Sequence, residues 1–178
     1  MQLLSAHQLG PWKHRLTALH AELRAFLIGR ARPGHASTIF HSPVFHLRPE
    51  AYAELRQEDR HPEAIEKAWH VFELLCRDER LSEIFPELAV ASLAIRTLQA
   101  GRLPAVLETI EGIVVDEVQD LTLLELSVVV ELWRRLAQRR PEPPLLLLAG
   151  DEGQTVRPSG FRWGPYKEIG RASCRERV

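Results

Sequence analysis

Apolar residues recur at helical spacing through the first part of the chain. In residues 11–30 they fall on one predicted helical face, namely Leu16, Leu19, Leu23, Phe26 and Leu27. A second helix is predicted to begin at Pro62, with its apolar side formed by Ile65, Trp69, Phe72 and Leu75. The run PELAVASLAIRTLQAG predicts a third helix that ends at Gly101. Residues 1–108 are therefore predicted to be mostly helical.

The apolar pattern changes from about residue 109 onwards. The β-branched run GIVVDE predicts a short strand buried on both faces, and LLLLAGD predicts a second such strand. Between them, TLLELSVVVELWRRLAQRR predicts a helix of about five turns. Strand, helix and strand with short links predict a right-handed βαβ unit with parallel strands, and hence an α/β fold class for this region.

Acidic residues follow both predicted strands. Asp116 and Glu117 close the first strand, and Gly150 and Asp151 close the second. In parallel sheets, ligands bind outside the carboxyl ends of the strands. Both acidic groups are therefore expected at one edge of one sheet.

Composition limits the classes of function that the chain can serve. The chain has 178 residues, of which 45% are hydrophobic, and a formal net charge of −1, so a nucleic-acid contact would have to be local. Its two cysteines lack the spacing of a zinc site. Neither a signal peptide nor a membrane span is predicted, and we expect a soluble protein in the cytoplasm with no membrane partner.

The last eleven residues have an unusual sequence. EIGRASCRERV, residues 168–178, matches the translation in one frame of a common short-read sequencing adapter. We expect this tail to be non-native, with the natural chain continuing differently after Lys167. A natural basic C-terminus is the alternative.

The acidic residues suit the chemistry of a nucleoside triphosphate. Mg²⁺ needs hard oxygen ligands and retains much of its water, so Asp116 is a candidate metal ligand through water. Glu117 is a candidate general base for the attacking water. An apolar strand that ends in Asp-Glu also occurs by chance, and this dipeptide alone leaves the question open.

The longer patterns DEVQD and GDEGQ resemble motifs II and III of superfamily 1 helicases of the UvrD/Rep type. The resemblance covers residues 109–167 and implies part of a RecA-like P-loop ATPase core, preceded by a helical insertion subdomain over residues 1–108. It implies that ATP and Mg²⁺ are the cofactors, that Asp116 holds Mg²⁺ and that Glu117 activates water. Gln154 would contact the γ-phosphate, Gln119 and Asp120 would link the two motifs, and Asp151 would belong to the nucleotide site.

The stretch TVRPSGFRWG suits a contact with single-stranded DNA. Aromatic rings stack on bases while arginines follow the phosphates. The candidates are Arg157, Phe161, Arg162 and Trp163. In the helicases that the chain resembles, a tyrosine and a tryptophan follow the glutamine of motif III more closely than any ring follows Gln154 here. The resemblance therefore does not identify whether Phe161 or Trp163 stacks on a base. A ring packed beneath the loop is the alternative.

Several of these residues also have purely structural interpretations. Thr122 and Glu125 match a capping box, so Thr122 and Asp120 are candidates for helix initiation. Asp151 and Gln154 could satisfy backbone groups in a turn beside Gly150.

The chain contains no GxxxxGK[ST] phosphate loop. By the resemblance, this segment would lie upstream and a second core domain downstream in the same parent chain. We therefore expect a fragment of an ATP-dependent DNA helicase or translocase that has no ATPase activity on its own. The alternatives are a non-enzymatic remnant or interaction module, and a metal-dependent nuclease that uses Asp116, Glu117 and Asp151.

Overall fold

The computed structural model describes residues 9–30, 49–56, 61–77 and 81–154. This part of the chain is mostly helical and contains one two-stranded parallel sheet. In chain order its principal elements are α1 (Leu16–Glu22), α2 (Pro49–Arg56), α3 (Pro62–Arg77), α4 (Leu81–Ile84), α5 (Pro86–Gln99), β1 (Gly112–Val115), α6 (Leu123–Gln138) and β2 (Leu145–Leu148). None of the helices in these ranges combines the length and apolar character needed to cross a membrane.

The helices share one hydrophobic core. It is formed by apolar side chains from α1 to α5, and Leu124 of α6 belongs to the same cluster. Phe72, Phe85 and Leu88 are fully buried in it. Cys76 packs against this cluster, and burial together with the nearby Glu73 carboxylate raises the pKa of its thiol to about 12. The thiol is therefore protonated at neutral pH and poorly nucleophilic.

The predicted helices of the first region are confirmed for α3 and α5, whereas residues 11–30 are less regular than predicted. A 3₁₀ turn at Gly10–Trp12 precedes α1, and a π-helical segment, Leu23–Ile28, follows it. Leu16, one of the five apolar residues on the predicted helical face, is 58% exposed. Trp12 is buried instead, and its indole N–H donates to the Ala64 carbonyl at 2.8 Å.

A buried ion pair connects α1 to α2. The Glu22 carboxylate accepts hydrogen bonds from Arg56 Nε at 2.8 Å, from Arg56 Nη2 at 3.1 Å and from the Tyr52 hydroxyl at 2.8 Å. The side chains of Glu22 and Arg56 are only 1% and 7% exposed. The Arg56 guanidinium also lies 3.9 Å from the centre of the Phe26 ring. These contacts satisfy a charge pair that would otherwise be very costly to bury.

The second region contains the predicted strand, helix and strand. β1 and β2 pair in parallel, with Gly112 opposite Leu145 and Val115 opposite Leu148. The helix α6 packs on one face of this sheet, where Val115 and Leu148 contact a small cluster built around Val118 and Leu126. The carboxyl ends of both strands therefore lie at one edge, as predicted.

The prediction that both strands are buried on both faces is wrong. Exposed and partly buried residues alternate along each strand. On the face away from α6, Val114 is 65% exposed, Leu145 63% and Leu147 49%. The physical reason is that α6 covers only one face of the sheet.

The π-helical segment contacts the start of α6. The backbone N–H of Leu124 donates to the Gly29 carbonyl at 2.7 Å. Arg24 Nη2 donates to both carboxylate oxygens of Glu125, at 3.1 and 3.0 Å. A Cβ on Gly29 would collide with the Arg24 carbonyl and come within 2.6 Å of the Thr122 methyl group, so only glycine fits here. The helical region is thus joined directly to the turn that follows the DEVQD segment.

Candidate functional site

Asp116 and Glu117 lie at the carboxyl end of β1. Both residues are exposed, and the Asp116 Oδ1 atom accepts a hydrogen bond from the Glu117 backbone N–H at 2.9 Å. Glu117 has a φ of 52°, in the left-handed region, and it is the only such non-glycine residue among those described. For a glutamate this conformation is strained, and strain of this kind is concentrated at functional sites.

Asp151 and Gln154 follow β2 and contact each other. Asp151 Oδ1 accepts from the Gly153 N–H at 2.8 Å, and Asp151 Oδ2 accepts from Gln154 Nε2 at 3.0 Å. The Asp151 side chain therefore satisfies a backbone group of the turn, as its structural interpretation predicts, whereas the Gln154 side chain contacts the Asp151 carboxylate and no backbone group. Both residues are also exposed, so their polar atoms lie within reach of a ligand.

Gln119 joins the two acidic segments. Its side chain is buried, with 1% exposure. The Nε2 atom donates to the Glu117 carboxylate, and the Oε1 atom accepts from the Asp151 backbone N–H at 3.1 Å. A backbone hydrogen bond of 2.9 Å from Val118 N–H to the Ala149 carbonyl runs beside this bridge. The Gln119 side chain therefore contacts the carboxylate of Glu117, the candidate base, and also the backbone of the GDEGQ segment at Asp151.

The bridge depends on close approach of the backbone at Gly150. A Cβ at this position would collide with Gln119 Oε1 and lie 2.8 Å from the Val118 side chain. Sequence reasoning identified Gly150 as the end of a strand but missed this packing role. A glycine close after a predicted strand is the available signal, since glycines in and near strands often mark a close backbone approach.

Thr122 begins α6 through the predicted capping box. Its hydroxyl accepts from the Glu125 N–H at 3.3 Å, and the Glu125 carboxylate accepts from the Thr122 N–H at 2.7 Å. Thr122 is fully buried, so its helix-capping interpretation is confirmed. Asp120 lies half-buried in the 3₁₀ turn Val118–Asp120 that leads into this helix. The capping box therefore determines where the chain leaves the 3₁₀ turn Val118–Asp120 and enters α6.

The carboxylates of the two acidic segments make this edge of the sheet negative. Asp116, Glu117 and Asp151 are all exposed there. Within the described ranges, no group of three or more His, Cys, Asp or Glu residues could hold a metal ion by itself. The donors therefore do not fit an all-protein metal cage. A Mg²⁺ ion that keeps most of its waters takes only one or two carboxylates and needs no such cage.

The four candidate DNA-binding residues lie outside the described part of the chain. These are Arg157, Phe161, Arg162 and Trp163. Their interpretation as a single-stranded DNA contact stays a prediction from the sequence.

Comparison of the chain with protein-family models, with curated proteins and with solved structures gives no match.

The Gln119 bridge predicts a local effect of substitution. In Gln119→Leu, the Asp151 N–H loses its acceptor, and we expect its hydrogen exchange to accelerate by about three- to tenfold, as for one lost hydrogen bond. Gln154→Leu is the matched control, because Gln154 contacts the Asp151 carboxylate and not this N–H. NMR-detected exchange of the Asp151 amide checks both variants. Equal acceleration in the two variants would contradict the assignment of the bridge.

Proposed function

We propose that this chain is part of an ATP-dependent DNA helicase or translocase, and that the Asp116–Gln119 and Asp151–Gln154 segments form its nucleotide-responsive edge. The observation that carries the proposal is the Gln119 bridge, which joins two acidic segments at the carboxyl ends of adjacent parallel strands. In α/β proteins, ligands commonly bind outside the carboxyl ends of parallel strands, which is where these two segments lie. The DEVQD and GDEGQ patterns supply the helicase resemblance.

In this proposal, each residue of the edge has a separate role in phosphoryl transfer. Asp116 holds Mg²⁺ through water, and Glu117 accepts a proton from the attacking water. When bound, Mg²⁺ would neutralise charge on the phosphates, which matters because Asp116, Glu117 and Asp151 would otherwise repel them. Gln154 donates to the γ-phosphate and releases its contact with Asp151 when it does so.

The proposal also assigns a route of communication between the two segments. A change at the Glu117 carboxylate alters the position of Gln119, which in turn holds the Asp151 backbone N–H. Through these two hydrogen bonds, nucleotide bound at the Asp116–Gln119 segment could change the conformation of the Asp151–Gln154 segment. The residues after Gln154 include the proposed DNA contacts Arg157, Phe161, Arg162 and Trp163. Hydrolysis would in this way be coupled to movement on single-stranded DNA.

The proposal requires parts that this sequence does not contain. A phosphate loop of the GxxxxGK[ST] type would cradle the phosphates, and a second core domain would supply arginines to the nucleotide. Val114, Leu145 and Leu147 form an uncovered apolar face of the sheet. Parallel sheets are usually covered on both faces, so the proposal expects further parts of the parent protein to cover this face. ATP, Mg²⁺ and single-stranded DNA are the proposed ligands.

A non-enzymatic interaction module is the second candidate. The same uncovered apolar face favours it, because exposed apolar patches also mark protein contacts. A metal-dependent nuclease has less support, since the sequence has no lysine near the paired acids Asp116 and Glu117.

Sequencing the source locus outward from both ends of the reading frame separates the candidates. We expect an in-frame GxxxxGK[ST] motif upstream and an arginine-bearing second core domain downstream, in place of residues 168–178. A start codon at Met1 with no phosphate loop in the flanking sequence would overturn the helicase proposal and favour the interaction module.

A further inference from the structure

The acidic turn, which comprises residues 117–120, is held at both of its ends. At its start, the Val118 N–H donates to the Ala149 carbonyl at 2.9 Å, beside the Gln119 bridge. At its other end, only two residues separate the turn from Leu123, the first residue of α6. The position of the first turn of α6 therefore limits the conformations that the acidic turn can adopt.

The π-helical segment holds the first turn of α6 in place. Its Arg24 side chain donates from Nη2 to both oxygens of Glu125, at 3.1 and 3.0 Å, and the Gly29 carbonyl accepts from the Leu124 N–H at 2.7 Å. The side chains of Arg24 and Glu125 are only 12% and 19% exposed, so water screens this charge pair less than a surface pair. The same Glu125 carboxylate accepts from the Thr122 N–H at 2.7 Å, so Arg24 also supports the capping box.

Two features of Arg24 favour a role besides stability. Its Nη1 atom is buried and contacts no acceptor within the described ranges, which costs stability, and its Nε atom lies 3.5 Å from Glu87, too far for a strong hydrogen bond. The Arg24 carbonyl also accepts from the Gly29 N–H at 2.7 Å, a five-residue spacing that is typical of a π-helix. Such segments are rare and often lie at functional sites.

Glu117 is the residue of the acidic turn whose conformation most needs support. Its φ of 52° is strained for a glutamate, and such strain persists only where the surrounding structure holds it. We propose that Arg24 is a positioning residue that keeps Glu117 in this conformation by acting through Glu125 and the first turn of α6. The helical region thereby controls the direction of the carboxylate that serves as general base, and in this respect the inference rests on the proposed function.

NMR spectroscopy of the whole chain without nucleotide tests this inference. A positive φ brings the amide hydrogen of Glu117 close to its own Hα atom, which gives a strong NOE between the two. In Arg24→Met, which removes the charge and keeps an unbranched side chain, we expect this NOE to weaken by about twofold as the released turn relaxes to negative φ. The Thr122 amide should exchange its hydrogen about three- to tenfold faster, because an unpaired Glu125 carboxylate turns towards water.

Glu87→Gln is the matched control, because it changes the other acidic neighbour of Arg24 and leaves the Glu125 contacts in place. We expect the Glu117 NOE and the Thr122 exchange rate to stay as they are in the unsubstituted chain. A purely stabilising Arg24 would instead leave the NOE unchanged in Arg24→Met, and such a result would overturn the inference. An equal loss of the NOE in Glu87→Gln would also overturn it.

Glu125→Gln provides a second test if Arg24→Met folds poorly. The introduced amide keeps an oxygen that can accept from the Thr122 N–H but loses the charge that binds Arg24, so the Glu117 NOE should again weaken. An unchanged NOE in this variant would contradict the role of Glu125 as the connection. Because these measurements use no nucleotide, such a result would overturn this inference alone, whereas absence of ATP turnover by the parent protein would overturn only the function proposed above.

Discussion

Replacing Glu117 with Gln in the intact parent protein should lower kcat for ATP hydrolysis by a factor of about 10²–10⁴, the usual contribution of a general base. The amide introduced by this substitution cannot accept a proton from water, but it keeps an oxygen that can accept from Gln119 Nε2. The backbone at this position can retain the left-handed conformation at similar cost. Nucleotide should therefore still bind, and single-turnover kinetics with a separate nucleotide-binding measurement would resolve the two steps.

Glu111→Gln is the control for this substitution. Glu111 is an exposed glutamate directly before β1, so the charge change is the same while the acidic edge stays intact. We expect its turnover to match that of the unsubstituted protein. A Glu117→Gln enzyme with unchanged turnover would remove Glu117 from the role of base.

Replacing Glu22 with Leu should lower the free energy of unfolding by about 3–5 kcal/mol, the effect of breaking a buried ion pair by removing one partner. The substitution removes the carboxylate that two nitrogens of the Arg56 guanidinium contact, at a position where the Arg56 side chain is only 7% exposed. It also removes the acceptor of the Tyr52 hydroxyl. Urea denaturation followed by circular dichroism measures the loss.

The paired variant Glu22→Leu with Arg56→Met separates this cause from simple loss of packing. Removing both charges should restore much of the stability, because neither member of the ion pair then keeps its charge. Glu108→Gln is the exposed control, since Glu108 is 49% exposed in its pair with Arg139, and we expect a change below about 1 kcal/mol. A Glu22→Leu variant as stable as Glu108→Gln would contradict the buried-pair account.

The sequence predicted those parts of the fold that depend on local periodicity. The spacing of apolar residues identified α3, α5 and α6, and the β-branched run GIVV identified β1. The pairing of β1 with β2 followed from the short links around α6. The capping box at Thr122 was predictable because both of its partners lie within one helical turn.

The features that the sequence did not predict depend on contacts between distant parts of the chain. The Gln119 side chain meets the Asp151 backbone only because two strands pair in register. Glu22 lies among apolar residues of a helix, a pattern that marks a buried charge but does not identify Arg56 as its partner. Likewise, the exposure of Val114 depends on which layers cover the sheet, and an apolar run alone cannot distinguish one covered face from two.

In the function proposed above, the edge formed by Asp116, Glu117, Asp151 and Gln154 serves Mg²⁺-dependent ATP hydrolysis coupled to DNA. The most direct test measures ATP turnover by the intact parent protein with and without single-stranded DNA, alongside the isolated chain. We predict turnover by the parent that single-stranded DNA stimulates, and no measurable turnover by the isolated chain, which lacks a phosphate loop. No hydrolysis by the parent with Mg²⁺ and single-stranded DNA present would contradict the account, as would robust DNA-stimulated turnover by the isolated chain.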